Sequence, residues 1–309
     1  MRHLKYILYI IVIPILYFAT YWNIRKRIIT NLYLTMSKLG YQSYVDNIKI
    51  ITFENITRTI MDKMSLLLLL LPFWLLKRII IKYTPIDNIH KLRQSLKNNR
   101  GAIVYSCHIG PYFLIPAALA LKGYKVITIE NIGPFEGYFV GRQVRKLNKS
   151  VSTDGVDRLT IYPIYDETLL RKLKKHLNEG NLVFMMGDYR SLYSRKPMYI
   201  DFLGYDIIPG RGIAWLYKQT NAPIFPIIPQ NYKKSEPGYT VRDELKLDKK
   251  LSIGHITQEI YRILEKIILK SPKDWVLWID YHLMLAPHVI NESKGNSATP
   301  VTANNIDVL

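Results

Sequence analysis

Cysteine is almost absent from this 309-residue chain. Cys107 is the single one, which excludes an internal disulfide framework. No cluster of Cys and His stands at zinc-ligand spacing, so no structural metal is expected. Acids are also scarce: 24 Asp and Glu face 43 Lys and Arg, and the formal charge of +19 calls for an anionic partner. Nucleic acid, anionic lipid head groups or an acidic protein would each satisfy it. Hydrophobic residues make up 49% of the chain, too many for a disordered polymer and enough for one large domain with an appendage, or two small domains.

Long uncharged runs are few, and the first is the most informative. YILYIIVIPILYFATYW, residues 6–22, has the minimum length for crossing a bilayer. It ends in Tyr and Trp as interfacial belts do, with Arg2 and Lys5 before it and Arg25, Lys26 and Arg27 after it. No small-residue cleavage site follows, so an anchor is expected rather than a cleaved signal peptide. The heavier positive flank places the remaining chain on the cytoplasmic side of the membrane. A second run, residues 64–76, is too short to span. It reads either as a buried core helix or as an element in the membrane interface, with Trp74 and the cations Lys77 and Arg78 at head-group level.

Beyond the anchor, apolar spacings of three and four at Leu32, Met36 and Leu39, and at Ile56, Ile60 and Met64, predict amphipathic helices. Short apolar or β-branched runs then alternate with helical ones: strands at Ile79–Tyr83, Ala102–Ser106, Tyr124–Glu130, Leu182–Met186, Tyr199–Leu203 and Ile224–Ile228. An edge strand is expected at Tyr239–Leu247, and helices at Asp87–Asn98, Asp166–Asn178, Pro209–Thr220 and Ile256–Leu269, with one more beginning at Pro272 through DWVLWIDYH. This order predicts an α/β sheet flanked by helices. The expected division is an anchor at 1–27, one α/β domain at 28–285 and a polar disordered tail at 286–309.

Chemistry is expected where strand Ala102–Ser106 ends in His108. A histidine at a strand's carboxyl end meets ligands outside the sheet, and its side chain titrates nearest neutral pH. Filling a strand-to-helix turn is the competing role for that residue. Asp188 ends the apolar strand Leu182–Met186 in the same way, and a carboxylate there needs either structural partners or an active-site duty. Arg142, Arg145 and Lys146 stand at helical spacing after the glycines Gly133 and Gly137; they suit a solvated face or a phosphate site.

Five stretches together resemble the lysophospholipid acyltransferase superfamily, in the branch of lipid A late acyltransferases and phosphatidylinositol mannoside acyltransferases. They are RKRIITNLYL, GAIVYSCHIGPYF, GNLVFMMGDYR, YIDFLGYDIIPGRGIAWLYKQTNAPIFPI and SPKDWVLWIDYH, spread over residues 1–285 in that family's order. The resemblance implies a glycerolipid-acyltransferase-like fold. It also implies transfer of a fatty acyl group from acyl carrier protein or acyl-CoA, as co-substrate, to a hydroxyl of a membrane glycolipid, with no bound cofactor or metal. His108 would be the general base and Asp188 a catalytic acid residue; Arg142, Arg145 and Arg190 would hold substrate. Membrane lipids and an acidic acyl carrier or CoA thioester become the expected partners, and nucleic acid does not. The family's histidine is followed at the fifth position by an acid, which here is Phe113. That departure leaves open a substitute carboxylate, such as Glu130 or Glu136, an acyl-carrying Cys107, or an inactive or repurposed homologue that binds lipid or acylates a non-lipid acceptor. Backbone N–H groups near Gly110 or at Gly210–Gly212 are the expected oxyanion donors.

Overall fold

The computed structural model describes residues 21–64, 68, 70–96, 101–131, 134–152, 154–190, 197–230 and 238–290. The expected anchor at 6–22 lies almost wholly outside these residues, and most of the expected tail does too. Among the described residues no helix is long and apolar enough to cross a membrane.

In chain order the strands are β1 (Ile86–Asp87), β2 (Ala102–Ser106), β3 (Val126–Glu130), β4 (Leu159–Pro163), β5 (Leu182–Met186), β6 (Ile200–Phe202), β7 (Tyr205–Ile207), β8 (Ile224–Gln230) and β9 (Gly238–Val241). Seven of them form one sheet in the order β1-β9-β8-β2-β5-β3-β4, and β6 and β7 make a separate antiparallel pair. The centre of the sheet is parallel, and β9 runs antiparallel to β8. Every residue of β2 is buried, as a strand covered on both faces requires.

The helices are α1 (Tyr21–Lys38), α2 (Gln42–Asp46), α3 (Ile48–Met64), α4 (Phe73–Tyr83), α5 (His90–Leu96), α6 (Ile115–Leu121), α7 (Pro134–Val151), α8 (Leu169–Asn178), α9 (Gly212–Thr220) and α10 (Ile253–Lys270). One apolar cluster joins Ile28, Leu32 and Met36 of α1 to Leu169, Leu173 and Leu177 of α8, Ile213 and Leu216 of α9, and Ile256, Ile260 and Leu264 of α10. A second joins Leu76 and Ile80 of α4, Leu92 of α5, Ile115 and Leu119 of α6 and Leu147 of α7. The leucines of α8 show the cause: three side chains four residues apart, each contributing about 1.5–3 kcal/mol by burial, lie on one stripe of an otherwise cationic helix.

Four expectations are corrected. Ile79–Tyr83 is not a strand but the end of α4, because Pro72 starts a helix whose Leu76 and Ile80, four apart, reach the core together. The same helix takes up Phe73–Leu76, so residues 64–76 are not one buried helix. DWVLWIDYH is a series of short 3₁₀ turns, Pro272–Asp274, Val276–Ile279 and Tyr281–Leu283. Its backbone is spent elsewhere: Trp275 bridges Ile109, the Asn55 side-chain amide donates to the carbonyls of Lys273 (3.0 Å) and Trp275 (2.7 Å), and that of Asn31 donates to Trp278 (2.6 Å). Finally, Tyr239–Leu247 is not an edge strand. The strand is Gly238–Val241, in the sheet interior between β1 and β8 with all four residues buried, and beyond it the Arg242 and Leu245 N–H groups still donate to the β8 carbonyls of Pro226 and Ile224 at 2.9 Å.

Candidate active site

Ser106 pairs with Met186 in the parallel register of β2 and β5. Each strand continues by two residues to a functional side chain, so His108 and Asp188 emerge side by side at the sheet's carboxyl edge. The chain after β2 crosses one face through α6, whereas the chain after β5 reaches β8 through α9 on the other. The pair therefore opens at a point where connections diverge, the usual crevice for ligands in open α/β sheets.

His108 Nδ1 lies 2.7 Å from Asp188 Oδ1, and the His108 backbone N–H donates to Asp188 Oδ2 at 2.8 Å. Trp275 Nε1 donates to the same Oδ2 at 2.7 Å. The carboxylate is fully buried (0% exposed) while the imidazole keeps 14% exposure. Three donors compensate the desolvated charge, and a carboxylate facing Nδ1 fixes the neutral ring with its proton there. Nε2 is thus left as the acceptor, and it has no partner among the described residues.

The ring is held from both sides. Tyr112 stands edge-on to it at 4.6 Å and Tyr189 is tilted at 6.1 Å. Val276 N–H donates to the His108 carbonyl at 3.1 Å, and Tyr239 hydroxyl donates to that of Ile109 at 2.9 Å. Gly187 fills the one place between strand and acid where a side chain does not fit: a Cβ there would come within 2.9 Å of the Tyr105 ring.

The other anticipated residues fall in different places. Cys107 is fully buried, and burial followed by the nearby Asp188 carboxylate pushes its thiol well above the usual range, so it does not supply a thiolate nucleophile. Glu130 ends β3, two strands from His108, and burial raises its carboxyl to about 7; the Glu136 side chain lies outside the described residues. The Gly210 N–H donates to the Tyr189 carbonyl at 2.9 Å and is not free for an oxyanion. Arg190 donates to the Leu283 carbonyl at 3.0 Å, two residues from Asp188. Arg142 and Arg145 are exposed on α7.

Phe113 packs with the second apolar cluster, edge-on to Tyr112 at 5.9 Å. Since the histidine's Nδ1 already has its carboxylate, Phe113→Glu should add no turnover. It should instead lower the melting temperature by several degrees, because a charge enters an apolar contact. Parallel rate and melting measurements check this, and a rise in turnover would contradict it.

Trp275 and Asn55 are the site residues that sequence reasoning missed. The only available signal was the cost of a strand-end acid such as Asp188, which demands more donors than one histidine provides.

A family model described as bacterial lipid A biosynthesis acyltransferase matches residues 17–283. No curated protein matches the chain.

Proposed function

The chain belongs to the bacterial lipid A biosynthesis acyltransferase family and is an acyltransferase, and from that premise we propose that it moves a fatty acyl group from a carrier-protein or CoA thioester to a lipid hydroxyl with His108 as base. The observation that carries this reading is the 2.7 Å contact of His108 Nδ1 with buried Asp188 at the sheet's carboxyl edge, Nε2 being open. Nε2 takes the proton of the acceptor hydroxyl as its oxygen attacks the thioester carbonyl. Asp188 stabilises the imidazolium that forms. The tetrahedral intermediate then collapses, the C–S bond breaks, and the departing sulfur receives the proton from Nε2. No acyl-enzyme is required, in keeping with the buried Cys107.

Gly110, at φ +68° and two residues beyond His108, is a candidate for an oxyanion donor, as is Gly212 at the start of α9. Against the inactive-homologue reading stands the buried Asp188 carboxylate on His108 Nδ1, a partner for the imidazole that Phe113 cannot be. The run at 6–22 would anchor the enzyme at the cytoplasmic face of the inner membrane, beside its lipid acceptor.

The test is a single-turnover reaction of the full chain with acylated carrier protein or acyl-CoA and a bacterial lipid extract, read by mass spectrometry. The expected result is an acylated lipid and free thiol in equal amounts. Thiol release without acylated lipid, or no reaction with either donor, would overturn the proposal.

A further inference from the structure

We propose that the outward face shared by α4 and α7 is a contact surface for an anionic lipid bilayer, a proposal that rests on the lipid-acceptor reading above and deepens it. Both helices pack on the same apolar cluster, so their exposed stripes point away from the same side of the sheet. The Gln143 amide of α7 donates to the Leu71 carbonyl just before α4 at 2.9 Å and ties the two together.

The stripe on α4 is Trp74, Arg78, Ile81 and Lys82, and that on α7 is Tyr138, Arg142, Arg145 and Lys149; each follows helical spacing. Trp74 is 60% exposed, Ile81 59% and Tyr138 60%. The Arg78 guanidinium lies over the Trp74 ring at 5.5 Å, and Lys82 lies 5.1 Å from that of Tyr83. No acid occurs in α4 or in α7 after Glu136, and none of these cations has a carboxylate partner among the described ion pairs.

Large exposed apolar side chains set among unneutralised cations match an interfacial surface. Trp and Tyr rings sit at head-group level, Ile81 enters the acyl boundary, and long cationic stems reach back to phosphates. An acidic protein would satisfy the charge alone and leave Trp74 and Ile81 unexplained.

Because Cys107 is buried, a fluorophore placed through Ile81→Cys labels one site selectively. The full chain would be reconstituted into vesicles with nitroxide-labelled head groups, and Lys250→Cys, in an exposed loop away from these helices, would serve as control. The label at 81 should be strongly quenched in phosphatidylglycerol vesicles and the control label should not. Arg78→Gln with Lys82→Gln should weaken the contact about fivefold per cation removed, as should high salt. A label at 81 that stays as open to aqueous iodide with lipid as without it overturns the proposal; so does protection by an acidic carrier protein but not by vesicles. Turnover on detergent-dispersed substrate separates the two readings: the Arg78→Gln, Lys82→Gln variant should retain it, whereas a wild type that binds vesicles but transfers nothing would sink the catalytic reading alone.

Discussion

Asp188→Asn should lower acyl transfer about ten-thousandfold, the loss that a misplaced histidine tautomer causes in the serine-protease template. The reason lies in the donor arrangement. Oδ2 accepts from both the His108 backbone and Trp275, so the asparagine oxygen is drawn to that position. Its amide group then faces His108 Nδ1, which must become an acceptor, and the proton moves to Nε2, the atom that should receive the substrate's proton. The fold should survive, since Asn fills the same volume and still satisfies two of three donors. Single-turnover rates with melting curves check this; a rate within tenfold of wild type would contradict it.

Trp275→Phe is expected to have the next largest effect. It removes one charge-assisted hydrogen bond from buried Asp188, worth about 1.5–3 kcal/mol, or roughly 10- to 100-fold in kcat where the loss falls on the imidazolium-like transition state. KM should change little, because the indole touches the acid and not the substrate. Trp278 offers the matched control: it is equally buried, its ring is 4.8 Å from that of Trp275, and its Nε1 donates to the Pro272 carbonyl at 2.7 Å. Trp278→Phe should cost similar stability and leave kcat near wild type. Equal falls in both variants would reduce Trp275 to a packing role.

What the sequence made legible was whatever depended on local pattern. A β-rich apolar run gave β2, a wholly apolar one gave β5, and the spacing of Ile256, Ile260 and Leu264 gave α10. Ile79–Tyr83 misled because three successive isoleucines favour a strand locally, while Leu76 and Ile80 needed the period of a helix to reach the core. The turns at Trp275 and Trp278 were illegible because side chains of α1 and α3, more than two hundred residues away, hold their carbonyls. His108 and Asp188 could each be singled out, but their contact spans 80 positions and depends on β2 and β5 being neighbours. Phe113 shows the converse: a motif position read from a family pattern faces a different cluster here.

That His108 and Asp188 act as one unit is the claim on which the mechanism stands, and single-turnover rates of His108→Ala, Asp188→Asn and the double variant test it most directly. Members of such a unit are strongly non-additive. The double variant should be no slower than His108→Ala alone; a rate reduced by the product of the two separate losses, or wild-type turnover in His108→Ala, would contradict it.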